Sequence, residues 1–154
     1  MVRVQRAIRI PAPASAAWQV LGDFRAPELG AGIVKEITVQ GEGVGAVRTM
    51  VLEDRWGGGY VQERLEAFDA TDRTMTYRMV DSGRVPFADY VGTIRVTPAG
   101  PDHCVAVMTS CFVPVGIDDA TAERMSIDNI ERALANARDA IGRRHQKAMA
   151  PGSS

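Results

Sequence analysis

From residue 33 to residue 113 the chain repeats one pattern: a short run of strand-forming residues, then a cluster of turn residues. The runs cover 33–40, 44–53, 60–68, 75–80, 89–97 and 104–113, separated by GEGVG, DRWGGGY, DATD, DSGRVPF and PAGPD. Regular spacing with turn chemistry at every junction predicts an antiparallel, hairpin-connected sheet. An earlier run, 2–10, places Val2, Val4, Ile8 and Ile10 on one face and supplies a further strand. The last run, from Cys104 to Val113, is apolar on both faces and belongs in the interior of the sheet.

Two helical segments interrupt this pattern. In PAPASAAWQVLGDF, Pro13 suits a first helical turn, residues 14–21 favour helix, and Gly22 is a terminator. A second short helix or turn is expected over 24–29. After the last strand, residues 118–141 form a long helix: Asp118 caps it, and Asp119 and Glu123 oppose the helix dipole near its start. Ile127, Ile130, Leu134, Ala137 and Ile141 recur at three- and four-residue steps as one apolar stripe. Gly142 is expected to end the helix, beside Arg143, Arg144 and Lys147. One domain is expected over 1–145, with a disordered tail over 146–154.

The order is strand, two short helices, six strands, long helix, which is an α+β class. An antiparallel sheet of seven strands twists and curls. The striped helix then lies in its concave side, and enough curl leaves a space that side chains do not fill. That space is where a small molecule would bind.

Composition narrows the function. The 154 residues, 45% apolar and 24% charged, make one ordinary globular domain. A formal charge of −1 gives no general attraction to nucleic acid or anionic membranes. No apolar run reaches the length of a signal peptide or membrane span, so the expected location is cytoplasmic. Cys104 and Cys111, seven positions apart in one strand, would be about 23 Å from each other at roughly 3.3 Å per residue, so reduced thiols are expected. His103 falls in a turn and His145 in the basic end, so no zinc site is expected. No serine pairs with a base, and GEGVG precedes a strand rather than a helix, so no metal or cofactor is called for. A monomer or a homodimer is expected, the exposed first strand being the edge that would pair.

Charges on faces that should be dry are the most specific signal. In YVQERLEAF, Val61, Glu63, Leu65 and Ala67 share the inward face, and Glu63 is its only charge. In AVRTMVL, Ala46, Arg48, Met50 and Leu52 share a face, and Arg48 is the exception. The glycine loop joins these strands as a hairpin, bringing Arg48 near Glu63. Two readings stand: a structural ion pair at the cavity edge, since an unpaired buried charge is costly, or a pair that meets a ligand's polar group. Further inward candidates are Met75, Tyr77 and Met79; Tyr90, Gly92, Ile94 and Val96; and Val107, Thr109, Cys111 and Val113. Tyr77 and Tyr90 are the better site candidates, because a buried phenol needs a partner.

With these elements in place, IPAPASAAWQVLGDF, VGAVR, QERLEAFD and DYVGTIRV together resemble the START-like, helix-grip superfamily known as SRPBCC. The similarity runs over residues 4–142 and is strongest to the bacterial polyketide cyclase/dehydrase-type branch and, in overall pattern, to plant abscisic acid receptors. It implies a curved seven-stranded sheet gripping the C-terminal helix around an apolar cavity. In the receptors the loop after the third strand is a gate and the loop before the sixth a latch; DRWGGGY and SGRVPF occupy those places here. Their glycines permit a mobile flap with Trp56 as its apolar lid, or simply a flexible hairpin loop. The lysine that meets the hormone carboxylate in the receptors aligns with Ala31, which argues against hormone sensing.

Carried over by position, the resemblance assigns ligand contacts to Met50, Leu52, Trp56, Val61, Glu63, Tyr77 and Met79. Val85, Phe87, Tyr90, Thr109, Cys111, Ser126, Ile130 and Leu134 complete the implied lining. The function expected is binding of a small, mainly apolar molecule: aromatic, polyketide-like or lipid-like. In the enzymatic version it is cyclised, dehydrated or isomerised, with Glu63 moving a proton and Arg48 or Tyr90 stabilising a developing oxyanion. In the alternative the protein carries or senses its ligand unchanged.

Overall fold

The computed structural model describes residues 1–26 and 28–149. Seven strands form one antiparallel sheet: β1 (Val2–Ile10), β2 (Val34–Gln40), β3 (Val47–Leu52), β4 (Tyr60–Asp69), β5 (Thr74–Asp81), β6 (Phe87–Pro98) and β7 (Cys104–Pro114). Helix α1 (Ala14–Leu21) and a 3-10 turn at Glu28–Gly30 follow β1; a second 3-10 turn, Asp54–Trp56, lies in the β3–β4 connection; helix α2 (Asp119–Met149) closes the chain. Strands β2 to β7 are sequential neighbours, and β1 joins the far side of β7, with Val2 opposite Phe112 and Ile10 opposite Cys104. β7 therefore has partners on both edges, which fits its apolar character on both faces.

Bulges bend the sheet around α2. An extra residue in one strand locally increases twist and re-aims side chains, and the ladder shifts register within β4–β5 and again in β6. In β6 the shift falls between Ala88 and Val91, where Asp89 has φ +54°. It turns both Phe87 and Tyr90 inward, three positions apart instead of two. Both rings stack on Phe112, with centroids 3.9 Å and 6.0 Å away. In β4 the shift between Leu65 and Ala67 overturns the simple alternation expected there. Ala67 is exposed, and Phe68 packs on the α1 residue Trp18 with ring centroids 5.4 Å apart.

Helix α2 buries Ala122, Ser126, Ile130, Leu134, Ala137 and Ile141 against β1, β7 and α1. Asp118 caps it: its Oδ1 accepts the Thr121 amide at 2.7 Å, and hydrogen bonds from Thr121 hold this carboxyl below its ordinary range. The helix does not end at Gly142 but continues to Met149. An interior glycine costs only about 1 kcal/mol, and docking offsets it. The Asn136 amide donates to the carbonyls of Leu29 and Ala31 at 3.0 and 2.9 Å, and Arg144 pairs with Glu28. Residues 146–149, expected in the disordered tail, are thus helical; 150–154 lie outside the described residues.

Candidate functional site

Between the concave sheet, the Glu28–Gly30 turn and the middle of α2 lies a cavity of about 490 Å³. That is within the range of small-molecule sites. Its sheet wall is Arg48, Met50 and Leu52 of β3, Val61 and Glu63 of β4, Met75, Tyr77 and Met79 of β5, and Phe87, Tyr90 and Ile94 of β6. Strand alternation accounts for this wall, since residues two apart point the same way. The rest includes Arg55, Trp56, Arg84, Val85 and Pro86 of two loops, Leu29 and Ile33 of the segment before β2, and Met125, Asp128, Asn129 and Ala133 of α2. Most of the lining is aliphatic, aromatic or thioether.

One charge pair sits in that lining. Arg48 lies directly opposite Glu63 in the β3–β4 ladder. Its Nε and Nη2 both donate to Glu63 Oε1, at 2.9 and 2.7 Å. Nη1 donates to the Phe24 carbonyl at 3.2 Å, and the guanidinium is sandwiched by Phe24 and Tyr77, at 4.3 and 4.8 Å from the ring centroids. Glu63 is 4% exposed. Among the described residues its Oε2 has no hydrogen-bond partner, yet that atom is not sealed from solvent. One oxygen is clamped by arginine and the other opens to the cavity.

Two phenols, Tyr77 and Tyr90, line the cavity. Tyr90 Oη lies 2.8 Å from Ser110 Oγ. Burial pushes the Tyr90 phenol up to about 12, and the Glu63 charge adds to this while the Ser110 hydrogen bond opposes it. Burial likewise raises Tyr77 well above its ordinary value, helped by Tyr90 and Glu63. Both therefore keep their protons at neutral pH. Tyr77 occupies its place because its β6 partner is Gly92: a Cβ there would be 2.4 Å from the Tyr77 ring.

The loop between β3 and β4 explains its three glycines. After the Asp54–Trp56 turn, Gly57, Gly58 and Gly59 have φ of +99°, +64° and +70°. Three successive left-handed residues are costly for any residue with a side chain. They return the chain from the turn to β4 and leave the Trp56 ring in the cavity wall. The facing loop packs closely on this one, with the Arg84 side chain lying over Gly59.

Residues 1–142 match the family described as polyketide cyclase/dehydrase and lipid transport. The chain belongs to that family. Solved structures agree on the fold. The protein XoxI of Bacillus cereus superposes with a TM-score of 0.80 at 22% identity, over 92% of this chain and 96% of that one. The Zhui aromatase/cyclase of a Streptomyces species gives 0.77 at 19% identity, over 99% of both chains. A START superfamily protein of Mycobacterium smegmatis gives 0.78 at 11% identity, over 92% of this chain and 97% of the other. No curated protein matches. The curled seven-stranded sheet with its long C-terminal helix is the helix-grip, START-like architecture of these neighbours.

In this polyketide cyclase/dehydrase family member, Arg48, Met50, Leu52, Trp56, Val61, Glu63, Tyr77, Met79, Val85, Phe87 and Tyr90 all line the one cavity. Five residues assigned to it from the sequence lie elsewhere. Thr109 and Cys111 point to the convex face of β7, where Thr109 Oγ1 bonds Gln5 Oε1 at 3.2 Å. The concave face of that strand carries Cys104, Ala106, Met108, Ser110 and Phe112. Ser126, Ile130 and Leu134 are buried in the contact of α2 with the body of the domain, and an adjacent strip, Met125, Asp128, Asn129 and Ala133, borders the cavity. Sequence reasoning also missed Ser110, the partner of Tyr90. With apolar residues on both faces of β7, alternation alone could not say which face was inside. Among the described residues no cluster of metal-binding side chains occurs, and no helix is long and apolar enough to cross a membrane.

Proposed function

We propose that this protein binds a small, mainly apolar molecule in the cavity and assists its cyclisation, dehydration or isomerisation by acid–base and shape catalysis. The observation that carries the reading is the second oxygen of Glu63, which opens to a mostly apolar chamber while Arg48 fixes the first. A carboxylate held in that way is positioned to accept a proton from a ligand carbon or hydroxyl and to return it to a leaving oxygen. Tyr90, kept protonated, and the remaining N–H groups of Arg48 are the donors for a developing enolate oxygen. The methionine, valine and aromatic walls hold a flexible chain folded, and orientation alone contributes several kcal/mol to such ring closures. The Streptomyces neighbour is an aromatase/cyclase, which is consistent with this chemistry.

A non-catalytic carrier or sensor is the second reading. It draws support from Arg48, whose Nε, Nη1 and Nη2 all have partners within the protein, as in a purely structural ion pair. The test is native mass spectrometry of the purified protein and its Glu63→Gln variant, followed by extraction of whatever small molecule accompanies each. Catalysis predicts that the variant retains an unreacted precursor where the native protein holds a product or nothing. The same unchanged molecule in both, with only its occupancy altered, would leave the carrier.

A further inference from the structure

The mouth of the cavity carries arginines that the floor chemistry does not use. Arg55 and Arg84 border the opening, and Arg132 of α2 lies over the Trp56 ring, 5.7 Å from its centroid. Arg55 Nη2 donates to the Gly32 carbonyl at 3.0 Å. From the point where a side chain at Gly32 would begin, Arg55 Nη2 is 3.1 Å away and Arg132 Nη1 3.7 Å. Two guanidiniums therefore converge on one small space, left open because residue 32 is a glycine at φ +80°. Among the described residues none of the three arginines belongs to an ion pair. Of the acids around them, Asp54 pairs with Lys35 at 3.6 Å and lies beside Gly58, as Arg84 does; Asp23 accepts the Arg25 amide; and Asp128, one turn before Arg132, makes no ion pair with it. Converging like charges repel. Here one is pinned by a carbonyl and the other lies on an aromatic ring, an arrangement that an anion between them would stabilise.

We propose that Arg55 and Arg132, with Arg84 across the loop, form an anion-recognition site at the cavity mouth. The ligand is then amphipathic: an apolar body inside and a carboxylate or phosphate outside. This rests on the cavity binding a small apolar molecule, as proposed above, but not on catalysis by Glu63.

The test is displacement of the neutral fluorophore N-phenyl-1-naphthylamine by dodecanol, dodecanoate and dodecyl phosphate, each below its micelle concentration. It uses the native protein and an Arg55→Gln/Arg132→Gln variant, whose exposed positions leave folding intact. The expected result is that at least one anion displaces the dye about tenfold more tightly than dodecanol, the scale of one charge-assisted contact. The advantage should shrink at high salt and vanish in the variant, while dye and dodecanol affinities stay unchanged. Preference for dodecanoate or for dodecyl phosphate identifies the head group. Equal binding of alcohol and anions, or an advantage that survives the double substitution, overturns the anion site and leaves the cavity reading intact. Failure of the dye and dodecanol to bind at all overturns both.

Discussion

Replacing Arg48 by methionine removes the guanidinium while keeping an unbranched side chain of similar reach. Glu63, 4% exposed, then loses both N–H donors on its Oε1, at 2.7 and 2.9 Å. Breaking a buried pair by deleting one partner costs roughly 3–5 kcal/mol. Because Oε2 already meets the cavity, water can reach part of the stranded carboxylate, so the lower end, about 3 kcal/mol, applies. Loss of the cation–π sandwich between Phe24 and Tyr77 adds roughly 0.5–1 kcal/mol. In a domain of this size a total of about 3–4 kcal/mol lowers the melting temperature by roughly 6–16 °C. Replacing both charges, Arg48→Met with Glu63→Leu, removes the stranded charge and should come within about 1 kcal/mol of the native protein. Urea unfolding followed by fluorescence of Trp18 and Trp56, with calorimetry alongside, measures all the variants. If Arg48→Met costs under about 1 kcal/mol, or the double variant equals the sum of its singles, the pair is not the desolvated, coupled unit described here.

Tyr90 makes stability sensitive to alkali: its folded value of about 12 exceeds the unfolded value near 10, so its contribution is complete below pH 10 and lost as the pH rises through about 12. The urea midpoint of the native protein should fall across that window, and more steeply than that of Tyr90→Phe. Gly92→Ala should cost about 1–3 kcal/mol, because the new methyl would lie 2.4 Å from the Tyr77 ring; thermal unfolding reads this directly. Gly83→Ala should cost more than Gly57→Ala in the same assay. Both carry positive φ, but at Gly83 the methyl would meet the Tyr60 carbonyl at 2.0 Å, while at Gly57 it would meet nothing within 4 Å. Leu134→Ala should destabilise by roughly 2–5 kcal/mol without changing the relative affinities of cavity ligands, and Thr109→Ala should change neither quantity, as its side chain is on the convex face; dye titration and calorimetry check both.

Periodicity made Arg48 and Glu63 conspicuous because each is the single charge on an apolar alternating face, and cross-strand pairing places them directly opposite. The same rule failed at Thr109 and Cys111, where both faces of β7 are apolar and period two carries no contrast. It failed at Ala67 because a bulge inserts a residue and reverses every later side chain in the strand. On α2 the stripe at 127, 130, 134, 137 and 141 marked a buried face, with Ile127 half-buried at its edge. Which neighbouring strip borders the cavity depends on how the helix is rolled against β1 and β7, and that is a matter of packing. Gly142 looked like a terminator because propensity counts the glycine and not the Arg144–Glu28 contact beyond it.

The amino-acid order alone determined the number and sequence of strands and helices, the antiparallel pairing, and the two charges bound for a dry face. These are local properties: alternation, turn chemistry and capping act over a few residues. Tertiary structure alone decided that a hollow remains, that Glu63 offers it one oxygen, that Ser110 partners Tyr90, and that Arg55 and Arg132 meet beside Gly32. Each of those depends on bulges and on the seating of α2, which bring together residues far apart in the chain and whose geometry no local pattern encodes.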